Sequence, residues 1–184
     1  MSSGGWPTLE SKLVRLRAVE RSDLPAFVRW FNDPEVTQFL LRSPPMSMEE
    51  EERWYDGLLI REGKVFSIDT LEGKLIGNVG IIHIDYTERK ADIGIVIGEK
   101  DLWGKGYGTD ALTVLLDYMF DELNMERIWL YADERNEKAQ ACYRKVGFRR
   151  EGVLRHNRFK DGVFTDDVVM SMLLSEWRDK HPLK

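Results

Sequence analysis

The stretch Leu102-Trp103-Gly104-Lys105-Gly106-Tyr107-Gly108-Thr109 runs directly into Asp110-Ala111-Leu112-Thr113-Val114-Leu115-Leu116, and this junction decides how the rest of the chain is read. Three glycines at alternate positions let the backbone enter conformations that side chains resist, and they let a ligand approach the main chain. The apolar spacing of Ala111, Leu112, Leu115, Leu116, Met119 and Phe120 predicts a helix from about Thr109 to Glu122 with one buried stripe. A helix start presents unpaired N–H groups and partial positive charge, which suits a pyrophosphate. Two nucleotide-binding patterns fail on spacing. A Walker A loop needs Ser or Thr after its Gly-Lys pair, and Lys105 is followed by Gly106. A dinucleotide fingerprint needs its third glycine at the sixth position, and Gly108 is at the fifth. On spacing alone, a flexible glycine turn stays open beside the anion cradle.

Outward from the loop, the periodicity changes from helical to alternating. Downstream, Arg127 to Ala132 reads as a strand and Glu137 to Val146 as a helix stopped by Gly147. Arg149 to Arg155 and Val163 to Leu174 read as a closing strand pair joined through Asp161-Gly162. Upstream, Val65 to Asp69, Leu75 to Ile84 and Ala91 to Ile97 read as three strands. Ser47 with Glu50 forms a capping-box pattern for a helix to about Ile60. Ser22 is a candidate cap for an earlier helix that Asn32-Asp33-Pro34 ends, and Lys12 to Ala18 alternates like a half-buried strand. The order βααβββαβαββ predicts one mixed α/β domain around a single sheet. Residues 1–10 are expected as a loose leader, 11–176 as the domain and 177–184 as a tail.

Composition removes several classes. The 184 residues carry a formal net charge of −5, so no global field favours nucleic acid. The one cysteine, Cys142, cannot close an intrachain disulfide, and His83, His156 and His181 form no ligand motif, so no metal is expected. No stretch is long and apolar enough to span a membrane, and no apolar signal core opens the chain, which makes the cytoplasm the default location.

The loop is followed, one strand later, by Asn136-Glu137-Lys138-Ala139-Gln140-Ala141-Cys142-Tyr143-Arg144-Lys145-Val146-Gly147-Phe148. The two segments in this order resemble the GNAT superfamily of N-acetyltransferases. The cofactor loop of that family reads Gln/Arg-x-x-Gly-x-Gly/Ala, matched here at Gly106 and Gly108, with Trp103 in place of the leading Gln or Arg. Its next helix reads Asn-x-x-Ala-x-x-x-Tyr-x-x-x-Gly-Phe, matched at Asn136, Ala139, Tyr143, Gly147 and Phe148. Trp30-Phe31-Asn32-Asp33-Pro34-Glu35-Val36 is similar to the branch that holds spermidine, ribosomal-protein and some aminoglycoside acetyltransferases.

The resemblance implies a mixed, largely antiparallel sheet of about six or seven strands, flanked by about four helices. It implies a splay between the fourth and fifth of the strands above. It implies acetyl-CoA as cosubstrate, an amine as acceptor and, as is common in the family, a homodimer. Trp103, Gly104, Lys105, Gly106, Tyr107, Gly108 and Thr109 would hold the pyrophosphate. Val96, Ile97 and Gly98 would line the pantetheine arm, with an N–H near Ile97 facing the thioester carbonyl. Asn136, Ala139 and Lys145 would complete the cofactor site. Tyr143 would protonate the departing thiolate, a step somewhat uphill from a reference tyrosine near pKa ~10 to a thiol near ~8.5. Cys142 beside it reads as a small buried helix residue, since direct transfer needs no acyl-enzyme.

The acceptor is the least determined part. The loop from about Asn32 to Pro45 would form one wall, with Asp33, Glu35 and Arg42 along it and Phe39 between. Asp33, Glu35, Asp92 and His156 are candidates to bind the acceptor or take its proton. Carboxylates there favour a small cationic amine. A protein N-terminus, or an acetyl-CoA sensor without catalysis, remains the alternative.

Overall fold

The structure is a computed structural model that describes residues 9–41, 45–60 and 63–182. Arg42 and Pro44 of the expected acceptor wall therefore lie outside the described residues. Strand β1 (Leu9–Glu10) pairs with β2 (Val14–Ala18), where Val14 and Leu16 turn inward and Arg15 and Arg17 alternate with them. Helix α1 (Leu24–Phe31), the short turn of helix α2 (Pro34–Thr37) and α3 (Met48–Asp56) follow. Strands β3 (Lys64–Thr70), β4 (Leu75–Asp85) and β5 (Lys90–Ile97) form an antiparallel meander. Helix α4 (Tyr107–Asp117), strand β6 (Arg127–Asp133) and helix α5 (Glu137–Val146) lead to the hairpin of β7 (Arg149–Lys160) and β8 (Val163–Leu173), and α6 (Leu174–Lys180) closes the described chain.

Among the described residues, eight strands form one sheet in the order β1-β2-β3-β4-β5-β6-β8-β7. Every pairing is antiparallel except β5 with β6. That parallel pairing runs only from Lys90↔Arg127 to Asp92↔Trp129. Beyond Asp92, β5 continues on β4 and β6 continues on β8, so the sheet opens into two halves. This is the expected splay.

Each face has its own core. Leu112, Leu115 and Leu116 of α4 and Tyr143 and Val146 of α5 bury against Ile81, Ile93, Ile128, Leu130 and Met170. On the other face, Leu24, Phe27, Trp30 and Phe31 of α1 form a second cluster with Val36. Full burial of each large apolar side chain contributes about 1.5–3 kcal/mol. The first cluster joins side chains from both halves of the sheet around the split.

Several boundaries differ from the sequence reading, for local reasons. Asn32-Asp33-Pro34 ends α1 but also starts α2, because the Asp33 carboxylate accepts the Glu35 N–H and Pro34 is suited to a first helical position. Ser22 caps nothing; the Asp23 carboxylate instead takes the Glu20 N–H, the Arg17 guanidinium and the Ser67 hydroxyl. Helix α4 begins at Tyr107, two residues before the expected start. Leu9 and Glu10, expected in the leader, pair with β2. The expected tail from 177 lies partly in α6, where Trp177 is fully buried and stacks on Phe120. Strand β7 runs five residues past Arg155, through a bulge between Leu154 and Arg158.

Candidate functional site

The loop enters α4 through two glycines in the left-handed region, Gly104 at φ 74° and Gly106 at φ 95°. A side chain resists this geometry, so glycine is what allows the chain to turn abruptly from β5 into the helix. The first helical bond is Asp110 N–H to Gly106 C=O, 2.9 Å. The N–H groups of Gly106, Tyr107, Gly108 and Thr109 have no acceptor among the described residues. Lys105 and Lys145 are exposed and form no ion pair among the described residues. The Asp110 carboxylate does not oppose an anion there unscreened, because it accepts the Ser11 hydroxyl and the Leu13 and Val14 N–H groups. The helix start is thus fixed to the β1–β2 turn on one side. On the other, a Cβ at Gly108 would lie 3.7 Å from Ile97 and 3.8 Å from the Cys142 sulfur, and Thr109 Oγ1 lies 3.3 Å from that sulfur. Loop, strand end and α5 therefore meet at one place.

The register of β5 says which backbone groups face the split. Gly98 N–H donates to Ile76 C=O of β4 at 2.8 Å. Main-chain groups along an antiparallel strand alternate, so those of Val96 and Gly94 also point to β4, and those of Ile95 and Ile97 point into the split. The β5–β6 ladder has already ended there, which leaves the Ile95 groups and the Ile97 N–H without a strand partner. The Ile97 carbonyl is taken by the Trp103 indole N–H at 2.7 Å. Trp103 thus ties the glycine loop to the strand end, a contact that the motif pattern did not foretell. Gly98 is close-packed against α1, since a Cβ there would lie 2.0 Å from the Trp30 ring.

On α5, the Asn136 side chain caps the helix by accepting the Ala139 N–H at 3.1 Å. Gly147, at φ 127°, ends it, and both its N–H and that of Phe148 return to the Tyr143 carbonyl. Phe148 packs edge-on against the Tyr143 ring with centroids 6.1 Å apart. The Gly-Phe pair of the motif therefore locks Tyr143 in place. The Tyr143 ring is buried, and its hydroxyl bonds no described residue. Burial drives its pKa well above the usual tyrosine value, and the neighbouring Cys142 adds to this while Arg158 opposes it. Tyr143 thus stays protonated at any working pH. Burial also raises the Cys142 thiol, with Thr109 opposing, so Cys142 is a poor nucleophile.

The four acceptor candidates are not brought together. Asp33 and Glu35 both pair with Lys100, at 2.8 and 2.5 Å. Lys100 holds the Asp33 carboxyl below its ordinary range, and the two carboxylates raise the lysine in return. Asp33 and Lys100 line an open cleft of about 410 Å³ together with Trp30, Gly98 and Glu99. Asp92 is buried where the β5–β6 ladder stops, and its carboxylate meets His83 N–H at 2.9 Å and His83 Nδ1 at 3.0 Å. His156 lies on the β7 bulge at φ 52°, its ring stacked on Phe164 with centroids 5.6 Å apart.

Sequence reasoning missed a polar cluster on the second half of the sheet. Asp133 and Asp167 are cross-strand partners, both nearly inaccessible. Arg135 pairs with Asp133 at 2.7 Å, and Arg158 pairs with Asp167 while donating to Phe39 C=O at 2.8 Å. Lys160 donates to the Thr37 carbonyl and, at 2.9 Å, to that of Leu40. The bulge that turns Arg158 and Lys160 toward α2 has no short sequence signature.

A sheet split beside a glycine-lined helix start, with a locked tyrosine on the next helix, is an architecture for moving acyl groups. Residues 14–149 match the family model described as "Acetyltransferase (GNAT) domain", and the chain belongs to that acetyltransferase family. It is similar to the spermidine N(1)-acetyltransferase of Escherichia coli K12, 30% identical over 168 residues that cover 91% of this chain and 90% of the relative. It is similar at 30% identity to N-acetyltransferase p20 of Bacillus licheniformis, covering 92% of this chain and 98% of the relative. The crystal structure of spermidine N-acetyltransferase from Vibrio cholerae in complex with CoA and spermine superposes with a TM-score of 0.83 at 31% identity, covering 89% of this chain and 97% of that one.

Proposed function

We propose that the protein transfers an acetyl group directly from acetyl-CoA to a primary amine, and that the amine is a small polycation of the spermidine type. One observation carries the cofactor reading: four open N–H groups at the start of α4 adjoin a split in which the Ile95 groups and the Ile97 N–H have no strand partner among the described residues. A pyrophosphate satisfies the first set, helped by Lys105 and Lys145. The amide-bearing pantetheine arm satisfies the second, along Val96, Ile97 and Gly98, with Asn136 and Ala139 at its far side. The amine nitrogen attacks the thioester carbonyl, and the Ile97 N–H stabilises the oxyanion. The C–S bond then breaks and the sulfur takes the Tyr143 proton. Burial keeps Tyr143 protonated but also makes its proton harder to give up than a free tyrosine's, so the transfer is uphill from the thiol reference. The amine sheds its own proton through water, with Asp92, bonded to His83 where the β5–β6 ladder stops, as a candidate relay.

Similarity to spermidine acetyltransferases, and a net charge of −5, support a cationic acceptor. A peptide N-terminus is the second reading. It is favoured by the pairing of Asp33 and Glu35 with Lys100, which leaves less free negative charge on that wall. Thermal shifts test the cofactor: acetyl-CoA should raise the melting temperature where ATP and NAD do not. Initial rates at two salt concentrations test the acceptor. Added salt should raise the KM for spermidine but not for a neutral amine, and equal responses would remove charge attraction as the basis of recognition.

A further inference from the structure

The segment Asp33–Leu40 connects the two halves of the split sheet. Its N-terminal end carries Asp33 and Glu35, both paired with Lys100, which lies just beyond Gly98 and Glu99 at the end of β5. Its C-terminal end offers three carbonyls to β7: Phe39 to Arg158, and Thr37 and Leu40 to Lys160. Strand β5 belongs to one half of the sheet and β7 to the other, and the ladder between the halves has only three residue pairs. Between its ends the segment is stiff. Thr37 returns both its N–H, at 3.0 Å, and its hydroxyl, at 2.9 Å, to the Asp33 carbonyl, and Leu40 N–H returns to Thr37 C=O at 3.0 Å. Val36 and Thr37 are buried. Cations at the carbonyl end and carboxylates at the N–H end also match the direction of the short helix's backbone dipoles.

We propose that Asp33–Leu40 is a strap tied across the mouth of the split by charged side chains, and that Lys100 and Lys160 are positioning residues that set the opening through which the acceptor reaches the thioester. This rests on the reading that the split is the acetyl-transfer site. It gives Asp33 and Glu35 a different task from contacting the acceptor: they anchor one end of the strap. The two roles predict opposite signs. If the carboxylates bind a cationic acceptor, removing Lys100 unmasks them and the acceptor KM falls. If they anchor the strap, removing Lys100 frees one end and the acceptor KM rises.

Lys100→Met and Lys160→Met, alone and together, decide between these, because methionine keeps most of the aliphatic stem. With spermidine as the probe, Lys100→Met should raise the acceptor KM about tenfold and Lys160→Met, which leaves Arg158 on the Phe39 carbonyl, should raise it less, with the KM for acetyl-CoA unchanged in both. The double variant should be little worse than Lys100→Met alone, since a strap released at its Lys100 end no longer spans the split. Amide hydrogen exchange on the protein without any acceptor gives a readout independent of substrate identity. Lys100→Met should speed exchange along the whole of residues 35–40, including the end that Arg158 and Lys160 still hold. A lower spermidine KM in Lys100→Met, or exchange that quickens only at the severed end, overturns the strap. Absence of spermidine turnover in the unmodified protein overturns the polyamine assignment alone, and the exchange pattern then decides the strap.

Discussion

Replacing Gly106 by valine separates what the loop glycine does for folding from what it does for the cofactor. Gly106 has φ 95°, and a Cβ there would meet only a Leu13 methyl at 3.5 Å, an ordinary contact. The folded protein therefore has room for the side chain, and the cost is backbone strain, roughly 1–2 kcal/mol. For a chain of this size that lowers the melting temperature by about 2–8 °C. Gly73 is the matching control: φ is 85°, a Cβ would meet nothing within 4 Å, and it lies in the β3–β4 turn. Gly73→Val should cost a similar amount. Only Gly106→Val should also weaken acetyl-CoA, because the side chain and the shifted backbone spoil the N–H groups at the start of α4. Losing one hydrogen bond to a charged group is worth about 1.5–3 kcal/mol, or roughly tenfold to 150-fold in Kd. Calorimetric titration with acetyl-CoA and thermal melts on both variants measure the two effects. If Gly106→Val binds acetyl-CoA as tightly as the unmodified protein while melting like Gly73→Val, the loop is only a turn and the cradle argument is wrong.

Tyr143→Phe removes a hydroxyl that bonds no described residue and leaves the packing against Phe148 intact, so the melting temperature should hold while kcat falls on the order of 10²-fold; an unchanged kcat means that water protonates the thiolate. Trp103→Phe keeps a ring but loses the indole N–H that holds the Ile97 carbonyl, and should raise the KM for acetyl-CoA several-fold, roughly the effect of one neutral hydrogen bond, with the acceptor KM unaffected. Acid should destabilise the protein through Glu151, whose carboxyl is drawn from 4.5 to about 2 by Arg127 and then Ser171. A depressed carboxylate contributes stability that is complete above about pH 4.5 and is lost as pH falls toward 2. Glu151→Gln should therefore flatten denaturant midpoints over that window, and a pH dependence identical to the parent's would contradict this.

The parts of the molecule that were legible from sequence are those written in local periodicity. The stripe from Ala111 to Phe120 and the alternation from Ala91 to Ile97 gave α4 and β5 directly, and Gly104, Gly106 and Gly147 marked the turns whose φ values only glycine takes easily. The motif on α5 was also readable, although its physical content emerged only in three dimensions: Gly147 and Phe148 hold Tyr143. What could not be read depends on contacts between distant residues. Lys160 meets Thr37 and Leu40 across about 120 positions, and Arg158 meets Phe39 likewise. Asp33 and Glu35 looked like free carboxylates because nothing nearby in sequence announces Lys100, 65 residues beyond Glu35. Trp177 looked like part of a polar tail because α6 has too few residues to show a stripe.

The central claim is acetyl transfer from acetyl-CoA to an amine, and the most direct measurement is coenzyme A release in the presence of separate acceptors: spermidine, an aminoglycoside, an amino sugar and a peptide with a free N-terminus. Amine-dependent release, greatest with spermidine and accompanied by the acetylated amine in the product mixture, is the predicted result. Acetyl-CoA that binds but is not consumed with any of these amines would make the domain a sensor and contradict the claim.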